Sequence, residues 1–141
     1  MKLVFLAILA TLSPISFHAD AKMPVEVVPT GDDITGRQLV YEVKERIRRS
    51  ASLALSLDSS EVRLQSLIVT LNPFTNNPNG GTVYSMVLTL HIPESRLPYY
   101  LQQYTGTCGP SSVESCAATI VAEISDQSDK LNRITPDEPQ R

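Results

Sequence analysis

The chain has 141 residues, 12 basic and 15 acidic side chains, a formal net charge of −3 and no tryptophan. So small a net charge, without clustered Lys and Arg, excludes general nucleic-acid binding, which rests on neutralising many phosphates. The length suffices for one domain with a core of its own and not for two.

Residues 1–21 follow the order read by secretion machinery: Lys2, an apolar run from Leu3 to Leu12 broken by Thr11, then Ala19-Asp20-Ala21 as a small-residue cleavage site. The run is about half the ~20 apolar residues a spanning helix needs, and Pro14 follows it, so a cleaved signal peptide is expected and a membrane anchor is not. Cleavage after Ala21 makes Lys22 the first mature residue and takes 21 from 141 residues, leaving 120; losing Lys2 and Asp20 keeps the charge at −3. The expected location is periplasmic or secreted, with no later membrane span.

Residues 22–33 carry Pro24, Pro29 and Gly31 and read as an arm or edge strand. Asp32 or Asp33 can cap a helix over residues 34–50, where Leu39, Val40, Val43 and Ile47 form one apolar stripe. Glu42 with Arg46 and Glu45 with Arg49 are acid-before-base pairs four apart, and Arg46, Arg48 and Arg49 crowd a last turn whose dipole favours cations. Leu53, Leu55 and Leu57 then alternate as a short strand.

Strands are expected over 61–71 and 82–92, joined by a long hairpin loop of Asn, Pro and Gly. In the first, apolar alternation changes phase near Ser66, which predicts a bulge there. In the second, Tyr84, Met86, Leu88, Leu90 and Ile92 fill one face, leaving Val83, Ser85, Val87, Thr89 and His91 on a semi-polar one. A tyrosine-rich strand over 97–107 places Tyr99 and Leu101 on one side and Tyr100 and Tyr104 on the other. Ser111 and Glu114 form a capping box before a last helix with Val113, Ala117, Ile120, Val121, Ile124 and Leu131 on its stripe. A disordered tail is expected over 132–141.

These elements predict an α+β two-layer sandwich: an antiparallel sheet of three to four strands with both helices on one face, in the order α-β-β-β-β-α, as a single domain over 34–131. The helices, +3 over 34–50 and −3 over 111–131, are expected side by side. Cys108 and Cys116, an even pair in an exported chain and too far apart for Cys-x-x-Cys redox chemistry, read as a disulfide stapling the last strand to the last helix.

No catalytic, metal-binding or cofactor-binding motif is present. One mature histidine, His91, cannot build a multi-histidine metal site, and no Gly-x-Ser-x-Gly segment supplies a serine nucleophile. Asp32-Asp33, at a helix start, reads as a cap before it reads as a glycosidase pair. The expected function is a binding or interaction module of the cell envelope, with His91, Tyr100 and Tyr104 as candidate surface and another envelope or secreted protein as partner. The alternatives are a small hydrolase whose site only the fold assembles, marked by a raised-pKa carboxylate near His91, and a protein that self-associates through a strand edge.

Overall fold

The computed structural model describes residues 21–74 and 76–134; the expected signal peptide, Ala21 apart, and residues 135–141 of the expected tail lie outside the described residues, while residues 132–134, expected in that tail, belong instead to the last helix. The elements run β1 (Met23–Thr30), α1 (Ile34–Arg49), β2 (Leu53–Leu55), β3 (Arg63–Leu71), β4 (Thr82–His91), β5 (Tyr99–Cys108) and α2 (Val113–Ile134). They form an α+β fold with one five-stranded sheet ordered β2-β1-β3-β4-β5.

The sheet is mixed, which corrects the expected antiparallel sheet of three to four strands. β1 pairs parallel with β2 and with β3, while β4 runs antiparallel to both β3 and β5. Residues 22–33, expected as an arm or edge strand, thus supply the second strand of the sheet. Its prolines fit because the flanking is staggered: β2 pairs with Met23, Pro24 and Val25, and β3 pairs from Val25 to Thr30. Pro24 and Pro29 each lack a neighbour on one side, so neither removes a hydrogen bond from a doubly paired position. Val25 alone is flanked on both sides, and it is fully buried.

Asp33 caps α1, accepting from the Gly36 N–H at 2.7 Å. Gly36 is required by space: a Cβ there would lie 2.3 Å from the Thr70 hydroxyl of β3. The α1 stripe of Leu39, Val40, Val43 and Ile47 is buried, as are Val113, Ala117, Ile120 and Ile124 of α2. The two helices lie side by side on one face of the sheet and share one core with Val25, Val27, Leu64, Ile68, Tyr84, Met86 and Leu88. Apolar burial carries this pairing, because none of the ion pairs among the described residues joins α1 to α2. Glu45 pairs with Arg48 and, at 3.8 Å, with Arg49, but Glu42 and Arg46 do not meet. The expected Ser111–Glu114 capping box is also absent: α2 opens from a 3₁₀ turn, Pro110–Ser112, in which the Ser112 N–H donates to the Gly109 carbonyl at 3.0 Å.

β3 and β4 pair without a register shift, so no bulge sits at Ser66. Ser66 itself points into the helix-covered core, fully buried, between Leu64 and Ile68. The phase change has the opposite outcome to repair: Leu67, Val69 and Leu71 turn to the face that carries no helix. A bulge does occur in β5, where Leu88 pairs with Gln102 and Thr89 with Tyr100, leaving Leu101 as the extra residue.

Candidate functional site

Alternation along β1, β3 and β4 gives the helix-free face a continuous apolar band. Val28, Leu67 and Val87 lie abreast across three strands, with Leu71 opposite Val83 and Val69 beside them. Leu71 is 67% exposed, and Val69 and Val83 are exposed as well. No element among the described residues packs over this band.

A polar cluster closes the band at the end where β4 finishes. Glu26 accepts from Arg63 Nε at 2.9 Å and from Gln65 Nε2 at 3.0 Å, and Arg63 pairs across the strands with His91. Arg63 is buried although it sits on the open face. Its hydrogen bond holds the Glu26 carboxyl below the usual glutamate range against the upward push of burial, with Gln65 and the charges of Arg63 and His91 adding to the effect.

His91 and Tyr100 lie on this face; Tyr100 is 65% exposed and pairs with Thr89. Tyr104 does not join them. The Leu101 bulge reverses the alternation of β5, so Tyr104 pairs with Met86 on the helix side and its ring stands 6.1 Å from that of Tyr84. Burial, together with the neighbouring Tyr104 ring and hydroxyl, pushes the Tyr84 phenol up to about 12. Gly106 makes room for Tyr84, whose hydroxyl lies 2.7 Å from where a Cβ would sit.

The helix layer has cavities of its own. One of about 600 Å³ lies between the first turns of α1 and α2, where Arg37, Tyr41, Glu42 and Glu114 surround Ile34 and Val113. A second, of about 320 Å³, lies between the end of α1 and the middle of α2. The helices thus run in the same direction. Among the described residues, no group of three or more His, Cys, Asp or Glu side chains comes together to hold a metal ion.

No family model matches the chain, and no curated protein matches it. Among solved structures it is similar to a dodecameric PelC from Paraburkholderia phytofirmans, at 12% identity and a TM-score of 0.44, over 73% of this chain and 85% of that one. None of the residues described above is assigned a role by that likeness.

Cys108 and Cys116 are joined, with Cα atoms 6.2 Å apart, which ties the end of β5 to the start of α2. Gln102 makes a second tie: it donates to Glu123 Oε2 at 3.3 Å and accepts from Gln127 Nε2 at 2.7 Å. Sequence reasoning missed the apolar band. Its signal was the phase change at Ser66, which marks a strand with apolar residues on both faces as readily as it marks a bulge.

Proposed function

We propose that the mature chain is a binding module of the cell envelope, periplasmic or secreted, that engages a protein partner through the helix-free face of its sheet. The uncovered band of Val28, Leu67, Val69, Leu71, Val83 and Val87 carries this reading, because contiguous exposed apolar surface on a folded domain marks contact sites. The adjoining charges already satisfy one another, Arg63 with Glu26, so the contact is apolar with a polar rim instead of charge-driven. The hydrolase alternative calls for a carboxylate with a raised pKa beside His91, whereas Glu26, the carboxylate there, is shifted down and stays ionised. The disulfide suits an oxidising compartment, and no helix among the described residues is long and apolar enough to cross a membrane.

The test compares the immobilised mature protein with a Leu71→Asp/Val83→Lys variant in capture from envelope extract. The introduced carboxylate and ammonium would stand opposite each other across β3 and β4, an allowed charge pair that preserves the strands while removing the apolar surface. A stoichiometric partner retained by the unmodified protein and by a Tyr41→Ser control on the helix side, but lost by the double variant, is the expected result. Equal recovery by all three, or no partner for the unmodified protein, would overturn the reading.

A further inference from the structure

We infer that the cavity between the C-terminal end of α1 and the middle of α2 is a binding site for a phosphate-type oxyanion, held by Arg46 and Arg49. Arg46, Arg49, Ser50, Ala118 and Val121 line it. Arg46 is half-buried, its Nε is shielded from solvent, and no group among the described residues accepts a hydrogen bond from that nitrogen.

The ordinary role for cations at this position is to stabilise the last carbonyls of the helix. Other groups already do so. The Ser50 N–H donates to the Ile47 carbonyl at 3.1 Å to close α1, and the Lys22 ammonium donates to the Ser50 carbonyl at 2.8 Å. Arg46 is also without the acid that its sequence spacing offers, because Glu42 lines the other cavity, between the helix starts.

A shielded N–H with no acceptor is costly, and Arg46 and Arg49 repel across one small cavity where only Arg49 has an acid beside it, Glu45 at 3.8 Å. An oxyanion with several acceptor oxygens relieves both at once, since each planar guanidinium presents paired donors that match phosphate geometry. The surroundings favour a multiply charged anion over a single carboxylate. Lys22, Arg46, Arg48 and Arg49 gather at this end of α1 against Glu45, which is engaged with Arg48 and Arg49. The α2 wall is Ala118 and Val121, and none of the acidic residues of α2 lines the cavity to repel an anion. The chain as a whole is negative, so this concentration of positive charge is local.

The experiment titrates the mature protein with inorganic phosphate at constant ionic strength, using chloride as control, and follows arginine Nε–H resonances by NMR. In parallel, flotation with phosphatidylcholine vesicles is compared with and without phosphatidylglycerol, which separates a soluble phosphate from a lipid headgroup as the source of the anion. Saturable movement of the Arg46 resonance, or flotation only with the anionic lipid, supports the site. Arg46→Gln and Arg49→Gln each should weaken the response about tenfold or more, the loss expected for one charge-assisted contact. Arg37→Gln, at the other end of α1, should leave it unchanged. Arg46→Lys keeps the charge without the fork and should fall between. Absence of both responses, or Arg46→Gln and Arg37→Gln variants that respond like the unmodified protein, would overturn the inference. It is independent of the open-face reading, because neither arginine lies on the sheet.

Discussion

Among the described residues, Glu26 and Arg63 form the one ion pair that joins distant parts of the chain, and its environment makes it consequential. Arg63 is buried and bonded through Nε to Glu26, while its Nη1 is buried without a partner among the described residues, so removing the carboxylate would leave a buried charge uncompensated. Glu26→Gln should therefore destabilise the protein by about 3 kcal/mol at neutral pH, measured by urea unfolding. The folded-state pKa of Glu26 lies below its ordinary value of 4.5, so its contribution is complete above that value and fades as pH falls through the lowered one. The variant should accordingly lose less stability than the unmodified protein on acidification. Tyr84 works at the other end of the scale. Its raised pKa favours the folded state fully below pH 10.0, and that contribution is lost as pH climbs toward about 12. Tyr84→Phe should flatten the alkaline decline, by about 3 kcal/mol at most, and a chemical-denaturation series between these pH values checks it. Neither shift was legible beforehand, since each needs partners that only strand register brings together: Arg63 and Gln65 lie 37 and 39 residues beyond Glu26.

At the scale of elements, the helices were the most legible, because a 3.6-residue apolar stripe has one reading when a cap precedes it, as Asp33 does for α1. The strands were legible in position and less so in facing. A single inserted residue, Leu101, reverses everything beyond it, which is why Tyr100 and Tyr104 share a parity in sequence and not a face in space. Ser66 misled in the complementary way: a small hydroxyl in the core looked like a break in pattern, while apolar residues on the open face looked like core. The covalent tie at the β5–α2 junction was legible from the cysteines, although the capping box expected there is absent. Its bridge closes a short loop with a sequence separation of 8, for which loop-closure entropy suggests about 2 to 3 kcal/mol. Cys116→Ser should lower stability by that amount and leave the strands intact, because Gln102 still ties β5 to α2; urea unfolding with strand-resolved hydrogen exchange distinguishes this from wholesale loss.

For the whole molecule, the decisive feature is that β1, the first strand among the described residues, lies inside the sheet. Parallel pairing of β1 with both β2 and β3 could not be read from residues 22–33, because local periodicity carries no information about which strands cross over and return. It ties processing to stability. Lys22 reaches the Ser50 carbonyl, and the Met23 N–H donates to the Ser52 carbonyl at 2.8 Å, so the residues that directly follow the expected cleavage point are engaged with the far end of α1 and the start of β2. Cleavage after Ala21 would leave this sheet whole. A start only six residues later, at Val28, would remove Val25 and Val27 from the core at about 1.5 to 3 kcal/mol each and strip Arg63 of Glu26, a combined loss comparable with the roughly 5 to 15 kcal/mol that holds a domain folded. Exported protein should therefore give Lys22 on N-terminal sequencing and a cooperative thermal transition, while a chain engineered to begin at Val28 should show none. A folded natural product that starts at or beyond Val25, or a cooperative transition from the shortened chain, would contradict the place assigned to β1.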